Sequence, residues 1–219
     1  MTAPQYPNLS IELDAMTKHG KEVLPAQVIE AFEKSIEELR DSGIAKGLAV
    51  GTTAPDFSLA NQIGSVITLS EEIEKGPVIL TFYRGEWCPF CNLELRAYQR
   101  IIDRIRQAGA QLLAISPLTP DHSLTVQEKN ELSFDVLSDL RNQIAEKYQL
   151  TFKLPDYLHE IYRSLGFALD KYNGDDSWEL PVPATYLIDR QGIIRFASVD
   201  PDYRTRMEPA EMLNLLHSL

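Results

Sequence analysis

The two cysteines of this 219-residue chain lie three residues apart, where a strand-like run gives way to a helix-like one. Val78-Ile79-Leu80-Thr81-Phe82-Tyr83 is apolar almost throughout, as a strand covered on both faces must be. From Asn92 onward the apolar residues recur at helical spacing. Between the two stand Arg84-Gly85-Glu86-Trp87-Cys88-Pro89-Phe90-Cys91. A C-x-x-C at a strand-to-helix turn reads as a dithiol redox site.

Chemistry favours that placement. Only the thiolate is nucleophilic, and a free cysteine with a pKa of about 8.5 is mostly protonated at neutral pH. The first turn of a helix presents unpaired N–H groups and the positive end of the macrodipole, which stabilise an anion. Pro89 suits the first helical position, where its missing N–H has no intrahelical partner to lose. Cys88 is then expected at the N-cap, with Cys91 one turn on and able to reach it. A zinc site would need two further ligands, yet no other cysteine exists and His19, His122, His159 and His217 are scattered. A buried, inert pair is the remaining alternative.

Composition sets bounds around this site. At 44% hydrophobic the chain can bury one good core, expected as one domain with an extension. A net charge of −11 argues against nucleic-acid or anionic-membrane partners, which attract basic patches. No apolar run approaches the roughly 20 residues that span a bilayer. Met1-Thr2-Ala3-Pro4-Gln5-Tyr6 has neither a basic nor an apolar signal segment. The expected compartment is therefore the cytosol, where a C-x-x-C cycles more readily than it staples. Asp170, Asp175 and Asp176 lack the alternating ligands of a calcium loop, and no metal or other cofactor is expected.

Along the chain, residues 1–20 read as polar and poorly periodic. Val28, Ile29, Phe32, Ile36 and Leu39 predict a helix between Pro25 and Asp41, stopped by Gly43. Residues 1–47 thus form a helical arm on a domain spanning 48–219. The arm's stripe docks on that domain or, in a homodimer, on a second subunit, and the first is expected. Leu93, Ala97, Tyr98, Ile101, Ile102 and Ile105 predict a helix ending near Gly109, and Gln111–Ser116 a second, parallel strand. A helix capped by Asp121 or Ser123 runs through Leu132, and a short strand lies near 134–137. Leu140, Ile144 and Tyr148 share a helical face, and another short helix lies near 156–165. Lys171–Asp176 reads as a polar loop. The chain closes with a hairpin, 184–189 and 193–199, and a helix from Pro209. The order is α/β with a terminal hairpin.

Several segments carry a family resemblance. Gly51-Thr52-Thr53-Ala54-Pro55-Asp56-Phe57-Ser58-Leu59 resembles the opening signature of the peroxiredoxin (AhpC/TSA, redoxin) family. Phe134-Asp135-Val136-Leu137-Ser138-Asp139 with Ile144-Ala145-Glu146-Lys147-Tyr148, and the hairpin around Thr185–Gly192, resemble it too. The resemblance covers about residues 48–199, with the segments in the family's order. It implies a thioredoxin-like fold, a central mixed sheet flanked by helices. It also implies hydroperoxide reduction by a cysteine thiolate, regenerated by thioredoxin or another thiol reductant.

The departures are as informative. The bacterioferritin-comigratory type carries Thr-Pro-x-Cys with a glutamate three residues on. Laid on this chain without gaps, its attacking cysteine falls on Cys91, its glutamate on Glu94 and its threonine on Cys88. Its early proline falls on Arg84, and its second arginine on Pro183. Trp-Cys-x-x-Cys with Val182-Pro183 is similar instead to thioredoxin, which implies a cis bond at Val182-Pro183 beside the dithiol. Two mechanisms follow. In a peroxidase, one sulfur is oxidised and condenses with the other, and Arg84 stabilises the departing oxygen. In a disulfide reductase, Cys88 attacks and Cys91 resolves, with Glu86 and Trp87 flanking an exposed sulfur and Val182 and Pro183 receiving substrate. Glu86 would raise the Cys88 pKa by like charge, against the helix dipole. A redox-sensing module that uses the arm is a third reading. Peroxide reduction is the expected activity.

Overall fold

The computed structural model describes residues 8–219, and its first element corrects an expectation. Helix α1 (Leu9–Val23) occupies much of the stretch expected to be irregular. Leu9, Leu13 and Met16 recur at helical spacing on its inward face, the first two buried. Helix α2 (Ala26–Ser42) follows as predicted, and Gly43 ends it in the left-handed conformation (φ 70°). Both helices dock on the rest of the chain. The α1 helix packs along the helix that carries the dithiol, and Phe32 of α2 meets Tyr162 edge-on.

A small antiparallel hairpin, β1 (Ser58–Ala60) and β2 (Val66–Thr68), leads into α3 (Leu69–Lys75) and then β3 (Val78–Phe82). The dithiol turn connects β3 to α4 (Pro89–Gln99). The single helix expected here is broken at Arg100-Ile101, and α5 (Ile102–Gln107) continues it. Tyr98, Ile102 and Ile105 remain buried on both sides of the break. Next come β4 (Gln111–Ser116), α6 (Pro120–Lys129) and β5 (Asp135–Ser138). Thr119, not Asp121 or Ser123, holds the N-cap position of α6, because Pro120 fits its first turn.

A 3-10 turn over Leu140–Asn142 precedes α7 (Gln143–Lys147). Arg141 and Asn142 have positive φ, so Leu140 is turned out to 46% exposure while Ile144 and Tyr148 stay buried. Beyond β6 (Thr151–Lys153) and α8 (Asp156–Ser164), α9 (Leu169–Asn173) takes up half of the loop expected at 171–176. Its Leu169 and Asn173 are buried, which a solvated loop would not achieve. The chain ends with β7 (Glu179–Pro181), β8 (Ala184–Ile188), β9 (Ile194–Val199) and α10 (Pro209–Leu216).

Five strands form the central sheet in the order β5-β4-β3-β8-β9. The β3, β4 and β5 strands run parallel, while β8 and β9 are antiparallel to their neighbours, so the sheet is mixed. Being central, β3 is buried on both faces, which explains its unbroken apolar run. Ile79, Leu112, Ala114 and Leu187 pack under α1, α4, α5 and α10. Val78, Leu80, Phe82, Leu113 and Ile115 pack on the other face against Phe57, Leu69 and Tyr148. No helix among the described residues is long and apolar enough to cross a membrane.

Candidate active site

The dithiol turn leaves the carboxyl end of the central strand, the edge where sheets of parallel strands place their chemistry. Tyr83 still donates to Ile115 O across the sheet at 2.9 Å, and Cys88 N–H closes the turn on Gly85 O at 3.2 Å. Gly85 has φ 149°, and a β-carbon there would come within 2.4 Å of Trp87 Nε1, so a larger residue would displace the indole. Cys88 occupies the N-cap of α4 and Pro89 its first turn, as predicted. Asn92 clamps the turn, its amide donating to Glu86 O (2.8 Å) and Cys88 O (3.1 Å). Asn130 in turn donates to Asn92 Oδ1 at 3.0 Å.

Both cysteines are free and buried, with Cys91 Sγ 2.9 Å from Cys88 Sγ and donating to it. The sulfur expected to be exposed between Glu86 and Trp87 is thus covered. Burial alone would push the Cys88 thiol up. The Cys91 hydrogen bond and the charges of Arg84 and Arg206 outweigh it and bring Cys88 down to about 6. Cys91 moves the opposite way, raised by burial and by its bond to Cys88. The charges that act most on Cys88 are the two arginines and not Glu86, whose carboxylate oxygen lies 3.3 Å from His122 Nδ1.

Arg84 is buried, which excludes a surface salt bridge. Its guanidinium lies 4.8 Å from the Trp87 ring and 4.2 Å from the Tyr203 ring and donates to Tyr162 Oη. Its Nε–H has no partner among the described residues. A buried cation needs a counter-charge, and the Cys88 thiolate is one of the charges that favour this guanidinium.

Sequence reasoning missed the second arginine. The side chain of Arg206, on the loop before α10, is buried beside Cys91. Its Nε donates to Glu94 Oε2 at 2.8 Å, and its Nη2 lies 3.7 Å from Cys91 Sγ. Burial raises the Glu94 carboxyl to about 7 despite this arginine. Thr185 Oγ1 is 3.4 Å from its other oxygen. Arg-Thr-Arg in an acidic chain was a signal, but no spacing tied it to residues more than a hundred positions away. Tyr162, Phe167 and Tyr203 were missed too, since no spacing ties them to the dithiol turn.

A half-open cavity of about 200 Å³ borders Cys88, Arg84 and Trp87, and Cys91 does not reach it. Val182 and Pro183 are not among its walls either. Pro183 borders a separate, much smaller pocket with Glu94 and Arg206. The cis bond expected at Val182-Pro183 is absent, since every described peptide bond is trans. Val182 N–H is committed to Leu150 O at 2.8 Å, and an extended chain joins β7 directly to β8.

A dithiol at the head of the helix that follows the central strand of a mixed sheet, flanked by two buried cations, defines a thioredoxin-fold thiol oxidoreductase. The comparisons agree. Residues 50–197 match the AhpC/TSA family, and the chain belongs to that family. Peroxiredoxin Q from Sedum lineare chloroplasts is 25% identical over 193 residues, covering 86% of this chain and 89% of its own length. A putative peroxiredoxin bcp of Coxiella burnetii is 26% identical over 169 residues, 77% of this chain and 99% of that one. The fold is shared with crystalline peroxidoxin BcpB of Mycobacterium tuberculosis, with TM-score 0.62, 19% identity, and coverage of 78% and 98% of the two chains.

Proposed function

We propose that the chain is a thiol-dependent peroxidase in which Cys88 attacks the hydroperoxide and Cys91 resolves. The observation that carries this reading is that Cys88 alone of the two sulfurs borders the cavity, and it is also the more acidic. The Cys88 thiolate attacks the terminal oxygen of the hydroperoxide. An S–O bond forms as the O–O bond breaks, the peroxide gains two electrons, and sulfur becomes a sulfenic acid. Negative charge builds on the departing alkoxide or hydroxide, which takes a proton from solvent. Arg84, with one N–H unspent, stabilises that charge beside the sulfur. Trp87 and Tyr162 hold the guanidinium in place.

In the second step the Cys91 sulfur attacks the sulfenic sulfur. A disulfide forms, and the sulfenic oxygen leaves as water with the Cys91 proton. Arg206 favours the Cys91 thiolate that this step needs. A thiol donor then returns the disulfide to the dithiol. A small thiol reaches it through the cavity, whereas thioredoxin needs the covering helices to open. The same cover disfavours a protein disulfide as substrate. A cytosolic setting, which keeps such a pair reducible, fits this cycle.

The test mixes reduced protein with hydrogen peroxide and with an organic hydroperoxide in stopped flow, following the fluorescence of the two tryptophans, of which Trp87 adjoins the dithiol. Oxidation far faster than that of a small free thiol is expected with at least one of them. The Cys91→Ser variant should then stop at a sulfenic acid on Cys88, trapped by dimedone and located by mass spectrometry. Oxidation no faster than a free thiol would sink the peroxidase reading. A sulfenic acid found on Cys91 in Cys88→Ser, with none on Cys88 in Cys91→Ser, would reverse the assignment.

A further inference from the structure

The cavity beside Cys88 is larger and more apolar than a hydrogen peroxide site requires. On the scale used for internal waters a water-sized molecule needs about 10–15 Å³, and this cavity offers about 200 Å³. One wall belongs to the dithiol turn and α8. The opposite wall belongs to α1 and α2, which lie before the family-matched span of residues 50–197. Met16, Leu24, Ile29 and Phe32 line it together with Phe167 and Tyr203. The arm is fixed over the site: Arg204, itself in the lining, grips Glu33 of α2 with contacts of 2.6 and 3.0 Å.

Gly20 sharpens the point. It lies inside α1, where glycine costs about 0.5–1 kcal/mol relative to alanine, and its φ is not in the left-handed region. No turn or close backbone approach demands it, since a β-carbon there would meet nothing within 4 Å. It borders the cavity, and the place its β-carbon would take is open.

We infer that α1 and α2 complete a binding site for the apolar body of an organic hydroperoxide, and that Gly20 keeps this site open. Burying that body beside the sulfur gives a bulky alkyl or aryl hydroperoxide binding energy that hydrogen peroxide has no atoms to collect. This inference rests on the peroxidase reading above and adds the specificity element, an N-terminal arm outside the family-matched residues.

The test measures kcat/KM for cumene hydroperoxide and for hydrogen peroxide in the full chain, and in Gly20→Ala and Gly20→Leu. In the parent chain the ratio of the two should favour cumene hydroperoxide. Because each methylene in an apolar pocket is worth about tenfold or more, Gly20→Leu should lower the ratio by at least about tenfold, mainly through KM. Gly20→Ala should lie between. Both changes favour the helix, so the unfolding midpoint should not fall, and Gly20→Ala keeps the test valid if the larger residue misfolds. A parent ratio near one, or a ratio unmoved in both variants, overturns the inference and leaves the peroxidase reading standing. Failure of both peroxides to oxidise the parent faster than a free thiol overturns both.

Discussion

Around the dithiol two buried guanidinium groups, Arg84 and Arg206, face a single buried carboxylate, Glu94. Even with Glu94 ionised, the two cations outnumber it, which favours a thiolate beside them. Arg206 holds Glu94 and stands beside Cys91, while Arg84 has no carboxylate and serves Cys88. With the Cys91 hydrogen bond and the two arginines holding the Cys88 thiol down to about 6, the sulfur is expected to be protonated and inert below that value and ionised above it. Alkylation of Cys88 by iodoacetamide, mapped by mass spectrometry, should therefore rise about tenfold per pH unit below about 6 and level off above about 7. A midpoint near the free-cysteine value of about 8.5 would show that the arginines do not act on this sulfur.

Among the elements, α1 owes its position to a residue near the other end of the chain. Asn8 makes no side-chain cap, and the carboxylate of Glu208 instead takes the N–H groups of Leu9 (3.1 Å) and Ser10 (2.7 Å). An acidic group at a helix N-terminus satisfies orphan donors and complements the macrodipole. Glu12 adds a two-pronged contact to Arg100, tying α1 to the end of α4. Glu208→Ala should destabilise the protein by about 1 kcal/mol, with the faster hydrogen exchange confined to the first turns of α1. Unchanged exchange there would mean that packing of Leu9 and Leu13 alone holds the helix.

For the molecule as a whole, the arm is part of the core. Leu9, Leu13 and Ile36 are each no more than 5% exposed, and burying such side chains is worth about 1.5–3 kcal/mol apiece. Their loss removes a large part of a typical folding free energy of about 5–15 kcal/mol. A chain starting at residue 48 should thus unfold at a markedly lower guanidinium concentration than the full chain, if it stays soluble. Equal midpoints would make the arm an independent appendage.

The sequence by itself determined the strand, the turn and the helix of the dithiol, because their signals are local: an apolar run, a C-x-x-C and a proline at the first helical position. It likewise determined α2 and the closing hairpin, whose periodicity and glycine stop are legible within about twenty residues. It did not reveal α1, whose short apolar stripe is intelligible only against α4, nor the break at Arg100-Ile101. The bond at Val182-Pro183 is trans and not the expected cis, and Val182 N–H is paired across the fold with Leu150 O. Tertiary structure alone decided that Arg206 and Glu94 flank Cys91, that aromatic rings cage Arg84, and that the arm closes a cavity over Cys88. Burial and charge depend on which distant residues are brought together, and no spacing along the chain encodes that.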